Sequence, residues 1–146
     1  MKKDILLKEN IILNCETTDV ESAIRFVGQH LVDSDYVNPK YIEGMIKRDA
    51  ALSVYVGNHL AIPHGEYEYK KEIKTSGIVI AIYPNGIDWH GENVKVVLGL
   101  AGINNEHMEI LASIATLFSD LDSVEKFISL PNEDAVYDFI MQGLLL

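Results

Sequence analysis

Cysteine is almost absent from this sequence: Cys15 is the only one among 146 residues. An intramolecular disulfide is therefore impossible, and a zinc site built from several cysteines is excluded. Long apolar runs are missing too. No stretch approaches the ~20 apolar residues that a membrane-spanning helix needs, and the N-terminus lacks a signal-peptide core. These absences predict a soluble cytoplasmic protein without a membrane segment in this chain.

Basic charge is also scarce. The chain has 12 Lys and Arg against 22 Asp and Glu, which gives a formal net charge of −10. Binding to a nucleic-acid backbone requires a basic surface that this composition does not provide, so we expect no nucleic-acid partner. A basic or mixed-charge protein is the more plausible partner.

Several common catalytic motifs do not occur. The sequence has no G-x-S-x-G, no Walker loop and no G-x-G-x-x-G, which argues against a nucleophile-elbow hydrolase, a P-loop enzyme and a dinucleotide-binding enzyme. Cys15 has the acidic neighbour Glu16, and a negative charge does not favour a reactive thiolate. We therefore predict no cofactor.

The first third of the chain has helical spacing. Thr18-Asp19-Val20-Glu21 fits a capping box, and the apolar spacing after it predicts a helix from about Asp19 to Val32. Asn38-Pro39 supplies a cap and a first-turn proline for a second helix, which carries Arg48 near its end. The short apolar run Ile5–Leu13 could pair at a sheet edge.

The middle of the chain is rich in β-branched residues, which favour strands. The predicted strands are Leu52–Val56, Leu60–Ile62, Gly77–Tyr83 and Val94–Leu100. Tyr83-Pro84-Asn85-Gly86 is typical of a turn in a hairpin arm, and the charged run Glu66–Glu72 is typical of a solvated loop. Further helices are predicted to begin at Asn104 or Asn105, at Asp122 or Ser123, and at Asn132. This order predicts an α/β fold, with a mixed sheet of about four or five strands flanked by helices, in one domain over residues 1–146.

His64 has the most distinctive setting of the five histidines. Pro63 should end the strand before it, and Gly65 leaves bare backbone after it, where an anion could approach an amide donor. Such a histidine could be a nucleophile, a base or a ligand. Surface histidines are common, but these neighbours favour a functional role. His59 and His90 lack a comparable setting and are expected to be surface polar residues.

Two other residues could join His64. His107 falls in the first turn of a helix that follows a strand, so the two imidazoles would meet if both strands end at the same sheet edge. That helix N-terminus favours phosphate, and Arg48 is a candidate bidentate cation for it. The simpler alternatives are a helix-start histidine and a solvated helix end. A metal site from His64, His107 and Glu109 is possible, but short ligand spacing is missing, so we predict no metal.

Three segments of the chain stand out together: Met45–Asp49, Gly57–Gly65 with its Pro-His-Gly triplet, and Ala101–Leu111. In this order and spacing they resemble the enzyme IIA component of the mannitol/fructose type in the bacterial sugar phosphotransferase system. The resemblance covers about residues 12–144, and the asparagine pair before Glu106-His107 is more similar to the mannitol branch than to the nitrogen-regulatory branch. Asp49 stands where glutamate is common, which leaves the sugar specificity open.

The resemblance implies a phosphotransferase that works as a phosphocarrier. His64 would accept a phosphoryl group from the phosphohistidine of HPr and pass it to a cysteine of enzyme IIB, beside His107 as second active-site histidine and Arg48 as phosphate neighbour. Membrane enzyme IIC would be involved only indirectly, through IIB. The alternative is a regulatory domain that is phosphorylated as a signal without feeding a transporter. Partners would dock on an apolar rim around His64, formed by residues such as Ile62.

Overall fold

A five-stranded mixed sheet lies at the centre of the protein in this computed structural model, which describes residues 4–144. The strands are β1 (Leu6–Ile12), β2 (Tyr55–Gly57), β3 (Leu60–Ala61), β4 (Gly77–Trp89) and β5 (Glu92–Ala101). Their order is β1-β4-β5-β3-β2. β1 pairs with β4 and β3 with β5 in parallel, whereas the β4/β5 and β2/β3 pairs are antiparallel. The predicted mixed sheet is confirmed, with the first apolar run as an edge strand.

Helices cover both faces of this sheet. They are α1 (Val20–Asp33), α2 (Tyr41–Ala51), α3 (Glu106–Leu117), α4 (Leu121–Ile128) and α5 (Glu133–Gly143). A 3-10 helix (Tyr67–Glu72) replaces the predicted solvated loop, because Tyr69 turns inward and is only 8% exposed. None of the helices within residues 4–144 has the length and apolar character needed to span a membrane.

The alternation of side chains along β4 builds two cores. Val79, Ala81 and Tyr83 belong to the cluster that packs against α1 and α2. Their neighbours Ile78, Ile80 and Ile82 face the opposite cluster, which includes residues of α3, α4 and α5. Because successive strand residues point to opposite faces, a continuous apolar run fits a strand that is buried on both sides.

Two helix starts differ from the prediction. Asp19, rather than Thr18, caps α1: its Oδ1 accepts the Ser22 N–H at 2.7 Å. α2 begins at Tyr41, after a turn in which the Tyr41 N–H donates to the Asn38 carbonyl. The Asn38 side chain makes no cap, because it donates to Glu72 instead.

Two strand predictions also need correction. The predicted turn Tyr83–Gly86 lies inside β4, where the pairing with β5 shifts register between Ile82 and Ile87. Pro84 has no N–H to donate, so it fits such an irregularity in the ladder. The chain reverses instead at His90 and Gly91, both with positive φ. β2 begins only at Tyr55, because Leu52 still caps α2.

Candidate functional site

The parallel pair of β3 and β5 brings the two predicted histidines together. β3 ends at Ala61 shortly before His64, and β5 ends at Ala101 shortly before α3, which contains His107. Parallel strands end at the same edge, so both imidazoles project there. Their ring centroids are 5.3 Å apart. The predicted convergence is thus confirmed.

A hydrogen bond fixes the tautomer of His64. Its Nδ1 lies 2.8 Å from the carbonyl oxygen of Ile62. A carbonyl only accepts hydrogen bonds, so Nδ1 carries the proton and Nε2 holds a lone pair in the neutral ring. Burial lowers the pKa of His64, the Ile62 bond raises it, and the nearby charge of Arg48 lowers it further. The net lowering favours the neutral, nucleophilic imidazole at neutral pH.

His107 is held beside it by a compact loop. Ser76 Oγ accepts the Ile103 N–H at 3.0 Å and donates to Glu106 Oε1 at 2.5 Å. Gly102 lies so close that a Cβ there would be 2.5 Å from the His107 Cα. Burial lowers the pKa of His107, and the proximity of His64 lowers it further. The second histidine is therefore also favoured in its neutral form.

Arg48 stands on the wall of the same pocket, which has a volume of about 320 Å³ and includes both histidines. Its Nη1 donates to the carbonyl of Leu52, just beyond the end of α2. The first turn of α3 lines the same pocket through His107 and Met108. The first N–H groups of a helix have no partner within the helix, and in α3 the Glu106 N–H donates to the Ile103 carbonyl instead. A cation and a helix N-terminus that face one pocket suit a tetrahedral anion.

The structure corrects the predicted role of Gly65. Its N–H is not available to an anion, because it donates to the hydroxyl of Tyr41 at 2.8 Å. The ring of Tyr41 explains the glycine, since a Cβ on Gly65 would lie 2.5 Å from Tyr41 Cε1. No local signal pointed to this contact across 24 positions.

The predicted apolar rim is also different. Ile62 is only 4% exposed and belongs to the core. The apolar side chains exposed around the pocket are those of Tyr67 and Met108, at 82% and 66%. Both come from the segments that follow the two histidine-bearing turns.

Two of the histidines expected on the surface have specific partners. His59 Nδ1 lies 2.8 Å from the Asn93 carbonyl oxygen. His90 Nε2 lies 2.6 Å from Oδ2 of Asp49, which is a buried carboxylate. Asp49 Oδ1 also accepts from the Val54 N–H and Trp89 Nε1–H. This network joins the end of α2, which carries Arg48, to the β4/β5 hairpin.

No group of three or more His, Cys, Asp or Glu side chains within residues 4–144 is arranged to hold a metal ion. The site therefore offers a nucleophilic nitrogen, a second imidazole, one guanidinium and helix amides. These groups suit transfer of a phosphoryl group, which needs positioning and charge stabilisation rather than further covalent assistance.

Comparison with known proteins agrees with this chemistry. A model of the family described as "Phosphoenolpyruvate-dependent sugar phosphotransferase system, EIIA 2" matches residues 4–143. The chain belongs to this family. The match covers the whole sheet, all the helices and the three site residues.

Relatives of this EIIA 2 chain include two proteins named mannitol-specific phosphotransferase enzyme IIA component. The one from Geobacillus stearothermophilus is 43% identical over 141 residues, which cover 96% of this chain and 97% of the relative. The one from Bacillus subtilis is 44% identical over 131 residues, which cover 89% and 92%.

Solved structures of related proteins share the fold. In the solution structure of the Escherichia coli complex between enzyme IIA and phosphorylated enzyme IIB for mannitol, one chain matches with a TM-score of 0.85 and 32% identity, covering 92% of this chain and 95% of that one. The E. coli IIA mannitol crystal structure matches with a TM-score of 0.82 and 33% identity, covering 90% and 96%. A nitrogen regulatory IIA protein from Neisseria meningitidis has a TM-score of 0.80 at 22% identity, covers 93% and 96%, and shows the fold alone.

Proposed function

We propose that this EIIA 2 protein is a histidine phosphocarrier of sugar uptake, in which Nε2 of His64 carries the phosphoryl group. The donor is phosphorylated HPr, and the acceptor is the cysteine of an enzyme IIB specific for mannitol. The observation that carries this proposal is the Nδ1–H bond from His64 to Ile62, because it leaves Nε2 as the nucleophilic nitrogen. The cytoplasm is the compartment in which such a carrier would meet both partners.

In the first step, the Nε2 lone pair attacks the phosphorus of the HPr phosphohistidine. A bond from phosphorus to Nε2 forms while the bond to the HPr nitrogen breaks, and HPr leaves with its electron pair. The Nδ1 proton of His64 stays in place and donates to Ile62, which stabilises the positive charge that the ring acquires. In the second step, a IIB thiolate attacks the same phosphorus, and His64 leaves as neutral imidazole.

The surroundings of His64 suit a reversible carrier. Arg48 and His107 share its pocket and would stabilise the negative charge of the phosphoryl oxygens, together with the amides of His107 and Met108 in the first turn of α3. One guanidinium and one helix terminus supply moderate stabilisation, so the phosphoryl group is bound without becoming trapped. Arg48 and His107 are therefore the proposed charge-stabilising partners of the nucleophile.

Tyr67 and Met108 are the proposed centre of the partner surface. Both are exposed beside the pocket, so a partner that covers His64 would bury them and exclude water from the transfer. HPr and IIB must each reach the same nitrogen, which implies that they dock in turn on overlapping surfaces. Mannitol is the proposed sugar because the relatives named above are mannitol components at 43% and 44% identity.

The test is phosphorylation with phosphoenolpyruvate, enzyme I and HPr, followed by intact-mass measurement. We expect one phosphoryl group on the wild-type protein and none on His64→Ala. His59→Ala is the matched control, because the Nδ1 of His59 also contacts a carbonyl but lies outside the pocket. It should be phosphorylated like the wild type. A phosphate that persists on His64→Ala would refute the assignment.

The acceptor is tested by adding the IIB domain of a mannitol transporter to the phosphorylated protein. Loss of the phosphate from His64 and its appearance on the IIB cysteine would support a transport role. Retention of the phosphate in the presence of several sugar-specific IIB domains would favour the regulatory alternative.

A further inference from the structure

The turn that carries His64 is tied to β5 on both sides. On the N-terminal side, the carbonyl of Pro63 accepts the Leu100 N–H at 2.9 Å. On the C-terminal side, the Gly65 N–H donates to the hydroxyl of Tyr41 at 2.8 Å, and that hydroxyl donates to the Leu100 carbonyl at 2.9 Å. One residue of β5 thus holds both neighbours of His64, directly on one side and through Tyr41 on the other.

Tyr41 is built into the core rather than placed on the surface. It is the first residue of α2, is 2% exposed, and packs in the cluster between the sheet and the first two helices. Its hydroxyl is the partner of a glycine amide and of a strand carbonyl that is itself in a fully buried residue. Without that hydroxyl, both groups would lack a hydrogen bond, and a buried polar group left without one is costly.

The backbone of Gly65 leaves little room for another arrangement. The Tyr41 ring lies against it so closely that even a methyl group on Gly65 would overlap the ring. His64 is therefore held by three contacts: its own Nδ1 bond to Ile62, the Pro63 carbonyl bond and the Gly65 amide bond. Only the third depends on the side chain of another residue, through the Tyr41 hydroxyl.

We propose that Tyr41 is a positioning residue for phosphoryl transfer, whose hydroxyl holds the backbone after His64 so that Nε2 stays aligned for in-line attack. This inference rests on the proposed phosphocarrier function. Tyr41 acts through Gly65, so it should affect the rate of transfer within the complex rather than the affinity for the donor. Because transfer requires the reacting atoms to be aligned, a displacement of ~1 Å can cost up to ~100-fold in rate.

The hydroxyl keeps this role over the whole working pH range. Burial raises the pKa of Tyr41 to about 12, although the Gly65 amide bond lowers it in part. The side chain is therefore neutral in any physiological assay, and it can donate and accept at once. The contribution of Tyr41 to the rate should accordingly not depend on pH near neutrality.

The test compares Tyr41→Phe with Tyr36→Phe. Tyr36 is an equally buried tyrosine that does not line the pocket, and its hydroxyl donates to the Asp4 carbonyl at 2.5 Å. Each variant loses one hydroxyl and keeps its ring. Tyr41→Phe should lose more stability, because it leaves a buried amide and a buried carbonyl without a partner, so urea unfolding must first show that both variants are folded under the assay conditions. In single-turnover transfer from phosphorylated HPr, we expect Tyr41→Phe to lower the maximal transfer rate by about tenfold or more, with the half-saturating HPr concentration changed less than about twofold. Tyr36→Phe should leave the maximal transfer rate unchanged.

An NMR measurement on the same proteins tests the contact without any partner. The Gly65 amide should exchange slowly in the wild type and in Tyr36→Phe, and much faster in Tyr41→Phe. Equal maximal transfer rates for Tyr41→Phe and wild type, an equal loss of rate in both variants, or unchanged Gly65 exchange would overturn the inference. Failure of the proposed function has a different signature, because the wild type itself would then accept no phosphate.

Discussion

Gly102→Ala should displace the second histidine of the site. A Cβ at position 102 would lie 2.5 Å from the Cα and 2.9 Å from the backbone nitrogen of His107. Carbon atoms in normal contact are ~3.5–4.0 Å apart, so relief requires a shift of about 1 Å. The obstacle is backbone, and no change of side-chain rotamer removes it. The first turn of α3 must therefore move away from Gly102 and take His107 with it.

The size of the effect follows from this displacement. Overpacking of a well-packed region costs about 1–3 kcal/mol in the free energy of unfolding. The His107 ring lies 5.3 Å from that of His64, centroid to centroid, and faces the same pocket. Since a misplacement of ~1 Å at a reacting centre can cost up to ~100-fold, we expect phosphoryl transfer to slow by about 10- to 100-fold. His64 should remain the phosphorylated residue.

The assay is single-turnover transfer from phosphorylated HPr, with urea unfolding measured in parallel. Gly143→Ala is the control, because its Cβ would lie 2.4 Å from Leu117 Cδ2, an overlap of the same size at the end of α5. The control should keep the wild-type transfer rate, and it should lose less stability than Gly102→Ala because the Leu117 side chain can move away. A Gly102→Ala protein that transfers at the wild-type rate, or an equal slowing in both variants, would refute the reasoning.

Two predictions concern stability. Burial is the main reason why the pKa values of His64 and His107 lie below the usual value of 6.5. The unfolded chain therefore binds more protons just below pH 6.5, so stability should be complete above that value and fall as the pH decreases toward the folded pKa. Urea unfolding of His64→Gln should show a shallower acid-side decline, and identical slopes would contradict this. Asp49→Asn replaces the buried carboxylate that accepts a hydrogen bond from Trp89. It should lower the free energy of unfolding by about 1.5–3 kcal/mol, measured by urea unfolding. The exposed Asp134→Asn should cost less than ~1 kcal/mol, and equal losses would refute the role of the buried network.

The proximity of His64 and His107 could be predicted from the sequence because that prediction needs only two assumptions. Each histidine follows a recognisable strand, and two parallel strands of one sheet must end at the same edge. The apolar runs of β4 and β5 likewise predict strands buried on both faces, and the structure confirms them. The sequence offers Arg48 as a candidate bidentate cation, but a cation at a helix end has no spacing that aims it at a pocket, so only the family resemblance favours that role over a solvated helix end.

The buried partners of polar groups could not be predicted. Asp49 follows Lys47-Arg48, and a charged run at a helix end is normally solvated. Asp49 is buried instead, because it accepts a hydrogen bond from Trp89, which lies in a hairpin 40 residues further along the chain. The segment Glu66–Glu72 is similarly charged, but it forms a 3-10 helix that packs against α2 through the buried Tyr69. In both places one long-range contact decides the burial, and local composition carries no information about it.

Gly65 shows how such a contact changes the chemistry inferred for the site. A glycine after a histidine predicts open backbone for an anion, but the space is filled by the ring of Tyr41 and the amide is bonded to its hydroxyl. The Glu106 N–H at the start of α3 is also taken, because it donates to the Ile103 carbonyl at 3.0 Å, so the α3 amides proposed for a phosphoryl group are those of the pocket-lining residues His107 and Met108. Arg48 lines the same pocket. The negative charge of a phosphoryl group on Nε2 would thus be stabilised by groups of α3 and α2. The turn that carries His64 holds the imidazole in place and contributes no charge of its own.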